Sequence, residues 1–162
     1  MAIFRRLVPF AALLVVALPA CSAKLVARSK PDFSGVWQQD NGRSQPPRSG
    51  EVTLQIVHHD PELSVETTIV RTGRARQHAV QRYTTDGKES TSAGADGDTF
   101  VTRIVWSGND LVFSIVEHED GRTLESSETW SITDHGETLK RERSSSKTEG
   151  QQIVFYAHRQ HQ

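Results

Sequence analysis

One cysteine and one methionine among 162 residues leave little for sulfur chemistry to do. A lone thiol, Cys21, gives no intramolecular disulfide, so no disulfide framework holds the fold together. Helix-period apolar patterning longer than two turns is missing after residue 23, which argues against a helical domain. No apolar run reaches the ~20 residues that a membrane-spanning helix needs. The sequence has no HExxH, no glycine-rich phosphate loop and no Ser-His-Asp order, so neither catalysis nor a cofactor is expected. Charge of one sign is also missing: 19 basic residues face 20 acidic ones. Two of the basic residues, Arg5 and Arg6, fall within the first 23, which hold no acid, and the remainder carries three more acids than bases. That balance offers no nucleic-acid surface.

What is present begins with an address. Arg5 and Arg6 form a positive start, residues 7–18 an apolar stretch, and Leu18-Pro19-Ala20-Cys21 follows at once. Leu-Pro-Ala-Cys resembles the bacterial lipobox, in which the cysteine is acylated and begins the mature chain. Residues 1–20 then read as a lipoprotein-type signal peptide, 21–31 as lipidated Cys21 and a tether, and 32–162 as one domain. Ordinary cleavage after Ala23 is the alternative, giving a soluble periplasmic or secreted protein. An acylated Cys21 would anchor the chain to a membrane surface without spanning it. Under the sorting pattern that the resemblance implies, Ser22 is compatible with the periplasmic face of the outer membrane.

The domain reads as strands and turns. Phe100, Ile104 and Trp106 alternate with outward residues, and Gly108-Asn109 turns the chain into Leu111, Phe113 and Ile115. Asp120-Gly121 then sets Phe113 against Glu128 and Leu111 against Trp130. The loop at residues 134–137 sets Ile132 against Leu139, Trp130 against Arg141 and Glu128 against Arg143. Upstream, the turn at residues 59–62 pairs Ile56 with Val65 and His58 with Leu63. Two-residue turns at Thr72-Gly73, Asp86-Gly87 and Asp96-Gly97 extend the inner face through His78, Val80, Arg82, Glu89, Thr91 and Ala93. For the last strand, the larger side chains favour Ile153, Phe155 and Ala157 inward over Val154 and Tyr156. Residues 41–50, with two prolines and two glycines, read as a loop. About ten short strands of this kind form an all-β, up-and-down antiparallel meander, and closure into a barrel removes its edges.

Phe33-Ser34-Gly35-Val36-Trp37 is similar to the Gly-x-Trp opening of the lipocalins and to the Phe-x-Gly-x-Trp opening of intracellular fatty-acid-binding proteins. It also looks like a group of exported bacterial proteins that begin Asp-Phe-Ser-Gly-x-Trp and continue with the Tyr-Thr-Thr-Asp-Gly-Lys-Glu seen here from Tyr83 to Glu89. The resemblance implies a lipocalin-like β-barrel that binds a small hydrophobic or amphipathic molecule. It also implies a late arginine, here Arg159, packed over Trp37.

Within that inner face the arginines matter most, because arginine is almost never buried unpaired. In one reading, Arg82, Arg141 and Arg143, with His78, hold the acidic head of a fatty-acid-like ligand while Trp106, Phe113 and Trp130 wall its tail. In the other, Arg143 pairs with Glu128, Arg141 stacks on Trp130 and Arg82 reaches solvent. His58, His59 and Asp60 lack a further ligand at fixed spacing, so no metal site is expected. On the outer face Val101 and Val105 pair with Val116 and Val112, an apolar patch to be covered by residues 41–50 or by a partner protein.

Overall fold

A computed structural model describes residues 29–94, 97–146 and 148–159. Residues 1–20, Cys21, most of the tether and Asp96 of the expected Asp96-Gly97 turn lie outside them.

The ten strands are β1 Gly35–Gln45, β2 Glu51–His59, β3 Glu62–Val70, β4 Gln77–Thr84, β5 Glu89–Ala93, β6 Thr99–Ser107, β7 Asp110–Glu119, β8 Arg122–Thr133, β9 Thr138–Ser145 and β10 Thr148–Arg159. Every neighbour in sequence pairs antiparallel except β4 with β5, and β1 pairs with β10. The sheet therefore curls into a nearly closed barrel whose hydrogen-bonded order runs from β4 round to β5. At that seam the chain steps across and Gly87 N–H donates to the Ile104 carbonyl at 2.9 Å.

From β6 to β9 the pairing is the one the turns predict: Trp106 opposite Leu111, Phe113 opposite Glu128, Trp130 opposite Arg141, and Glu128 opposite Arg143. Between β2 and β3, His58 lies opposite Leu63 and Ile56 opposite Val65, again as expected. Three stretches are corrected. The turn after β3 includes Thr72-Gly73 but runs on to residue 76, so Leu63 pairs with Tyr83 and Val65 with Gln81. This slip of one residue turns Tyr83 and Gln81 inward and His78, Val80 and Arg82 outward. It buries a phenol and leaves an imidazole and a guanidinium in water, the cheaper arrangement. In β5, Ser90 and Ser92 oppose Thr102 and Phe100, so Glu89, Thr91 and Ala93 face outward. In β10, Val154 and Tyr156 oppose Arg141 and Leu139 and point inward.

The last correction has its cause in β1. Residues 41–45 continue that strand instead of forming a free loop, and an irregularity between Asp40 and Gln45 folds it over the outside of β10. Arg43 lies 4.6 Å above the Phe155 ring, and Phe155 N–H donates to Ser44 Oγ at 3.3 Å. Phe155 is thus covered from outside, which size alone does not reveal. These residues therefore do not cover the outer valines.

One end of the barrel is plugged. Phe33 is fully buried there, its ring 6.0 Å from Trp106, 6.4 Å from Trp130 and 5.8 Å from His58. Trp37 Nε1–H donates to the Phe33 carbonyl at 3.0 Å, and Trp37 packs on His158, not on Arg159. Gly35 is required at this point: its φ is +139°, and a Cβ there would lie 2.5 Å from His158 Nε2. That is the physical content of the Gly-x-Trp opening.

Candidate functional site

Above the plug the barrel is hollow. A cavity of about 170 Å³ is walled by Val65, Phe100, Phe113, Ile115, Tyr83 and Trp130. A more open hollow of about 320 Å³ reaches the far rim beside Gln39, Arg48, Ile69, Gln152 and Val154. Thr67, Glu128, Arg141 and Arg143 line both.

Where the two spaces meet lies a polar cluster. Glu128 is buried, and its Oε1 accepts from Trp130 Nε1–H at 2.6 Å and from Arg141 Nε–H. The Arg141 guanidinium lies 4.7 Å from the Trp130 ring centre, and its Nη1 donates to Tyr156 Oη at 3.3 Å. Burial pushes the Glu128 carboxyl upward, but the Arg141 charge, the two hydrogen bonds and the Arg143 charge outweigh it and hold its pKa below the usual carboxylate range. Arg141 likewise loses hydration, and the Glu128 charge more than restores its preference for the charged form. Burial, reinforced by Glu128, pushes the Tyr83 hydroxyl up to about 12, so it stands neutral in the wall.

Of the residues predicted to form the site, Phe113, Trp130, Arg141 and Arg143 line the hollow. Trp106 does not. It belongs to the plugged end, where its Nε1–H donates to Asp60 Oδ1 at 2.9 Å and Lys30 stands 4.7 Å over its ring. Arg82 and His78 are exposed on the outer wall, with His78 paired to Glu66 at 2.8 Å. Glu128 is paired with Arg141 and not with Arg143, while the stacking of Arg141 on Trp130 is as expected. His58 is buried beneath Phe33, whose N–H donates to its Nδ1 at 3.4 Å; burial lowers its pKa against the pull of Asp32 and Asp60. The outer valines pair as predicted, Val105 being exposed and the other three half-buried. Away from the hollow, Asp98, Glu117 and Glu119 bring carboxylate oxygens within 4.8 Å of one another, the one group among the described residues with the spacing of cation ligands.

Neither a protein-family profile nor a curated protein matches the sequence. Solved structures do match in shape. A fatty acid transporter described as REP1-NXSQ superimposes with a TM-score of 0.59 at 13% identity, over 80% of this chain and 97% of that one. Secretory abundant heat soluble protein 4 of Ramazzottius varieornatus gives 0.61 at 16% identity, over 78% and 94%. Lipid binding protein 8 of Caenorhabditis elegans gives 0.60 at 10% identity, over 78% and 95%.

The fold is that of the fatty-acid-binding barrels.

In this barrel the sequence pattern misses Arg48, Gln39, Gln152, Tyr83 and Tyr156 as hollow-lining residues. Tyr83 and Tyr156 face inward only because the register after β3 and that of β10 each differ by one residue from the turn pattern, and the aromatic size of Tyr83 is the signal that points to it. Arg48 follows two prolines in an aperiodic stretch, where no pattern reports direction.

Proposed function

We propose that this chain is an exported bacterial lipoprotein whose barrel holds one small amphipathic molecule with an acidic head and performs no chemistry on it. The observation that carries the reading is the hollow itself: an apolar wall of Val65, Phe100, Phe113 and Ile115 leading to a cluster in which guanidinium groups outnumber carboxylates. Binding sites for small molecules are typically ~300–1,000 Å³ with a few placed polar groups, and the two adjoining spaces fall in that range together. Similarly folded proteins include a fatty acid transporter and a lipid binding protein. Fold alone does not fix a ligand, so the weight rests on the hollow.

Mass spectrometry of small molecules extracted from the purified protein tests the reading. A stoichiometric acidic amphiphile is the expected result. An empty protein that also fails to take up fatty acids and lysophospholipids would overturn it and move attention to a protein partner at Val101, Val105, Val112 and Val116.

The lipid anchor has its own test. Exchange of Cys21 for serine is expected to shift the protein from the membrane fraction to the soluble fraction of the cell envelope. An unchanged distribution would overturn anchoring through Cys21 and, with it, the periplasmic face of the outer membrane as a location reached by that anchor; a parent found only in the soluble fraction would point to a soluble periplasmic or secreted protein.

A further inference from the structure

We propose that Arg48 and Arg143 form an oxyanion site at the rim of the hollow, so that a ligand lies head-outward with its tail directed toward Phe100, Phe113 and Ile115. This deepens the binding reading and rests on it. Three guanidinium groups, Arg48, Arg141 and Arg143, and one carboxylate, Glu128, line the open part of the hollow. Glu128 is committed to Arg141, which it neutralises at close range. Two positive charges therefore remain facing a half-enclosed space.

Arg48 reaches that space from the connection between β1 and β2. Its Nη2 donates to Gln152 Oε1 at 2.6 Å, while its Nε is buried and has no hydrogen-bond partner among the described residues. A buried N–H of a charged group left without an acceptor loses its hydration for nothing in return. An oxygen of a bound anion would supply the acceptor. Gln152, which accepts from Arg48, is paired directly with Arg143 across β9 and β10, and all three line the same hollow. The carboxylate opposite Arg143 on its other side, Glu128, is already engaged by Arg141 and Trp130. Planar guanidinium groups match the oxygen spacing of a carboxylate or a phosphate ester, and that oxyanion chemistry is what the rim recognises.

The test titrates the full chain and its Arg48→Gln and Arg143→Gln variants with palmitate, palmitoyl lysophosphatidate and hexadecanol. These share a tail and differ in head. Each variant is expected to weaken binding of the anionic probe about 10- to 100-fold, the loss of one charge-assisted bond, and to leave hexadecanol within about twofold. Whether palmitate or lysophosphatidate is bound more tightly by the parent shows which oxyanion the rim prefers. Anion binding unchanged in both variants overturns the rim site and leaves the binding reading intact. Equal losses for hexadecanol also overturn it, because they report a damaged hollow. A parent that takes up none of the three overturns both. Arg48→Lys keeps the charge and is expected to restore part of the affinity; no restoration would mean that Arg48 acts through the shape of its loop, which overturns the assignment.

Discussion

Replacing Glu128 with alanine is expected to destabilise the protein by about 3 kcal/mol in urea unfolding, the low end of the range for breaking a buried ion pair. The low end applies because the Arg141 side chain keeps 24% of its exposure while that of Glu128 keeps 5%. The cost comes from what is left behind, a guanidinium against Trp130 and Tyr156 without its counter-charge. The double replacement Glu128→Met, Arg141→Met removes both charges and is expected to recover most of the loss. A double variant as unstable as the single one would show that shape and not charge governs this site. The same pair gives an acid dependence. Glu128 has a folded pKa below its ordinary value of 4.5, so its contribution is complete above the unfolded pKa and disappears as pH falls through the folded one. Stability measured between about pH 5 and pH 3 should fall less steeply in Glu128→Gln than in the parent.

Trp130→Ala is the other large effect, expected at ~3–5 kcal/mol. Trp130 is 3% exposed, its ring lies 4.6 Å from that of Phe113, and its indole N–H helps hold Glu128. Removing it opens the cavity toward the plug and frees one of the hydrogen bonds that orients the ion pair. Trp130→Phe fills much of the volume without the N–H donor and should cost markedly less. A loss below about 1 kcal/mol for the alanine variant, the scale of a surface change, would contradict the burial of this side chain.

The legible part of the fold lies where tight turns flank strongly alternating strands. Gly108-Asn109, Asp120-Gly121 and the loop at residues 134–137 each fix a register, and the inward set from Phe100 to Arg143 follows from them. Legibility fails where the chain leaves that grammar. Residues 71–76 contain the expected turn but add to it, and each added residue reverses the parity of β4. The β4–β5 step is not a hairpin at all, since Gly87 bonds to β6. Phe155 defeats the rule that larger apolar side chains point inward, because Arg43 and Ser44 from the far end of the sequence cover it outside. The same reason makes Phe113, Trp130, Arg141 and Arg143 legible as site residues, since they lie on well-registered strands, whereas Arg48 comes from a stretch without a period.

The pairing of β1 with β10 joins Val36 to Arg159, nearly the whole domain apart in sequence. The remaining ladders are hairpins between neighbours and can form as the chain lengthens. Closure at the termini costs the most loop entropy and has to wait for the last strand. Until then both β1 and β9 present an unpaired edge, so a chain lacking its last dozen residues would be an open, sticky sheet. β10 therefore has to be made and docked before the hollow exists, and any occupant enters only after that.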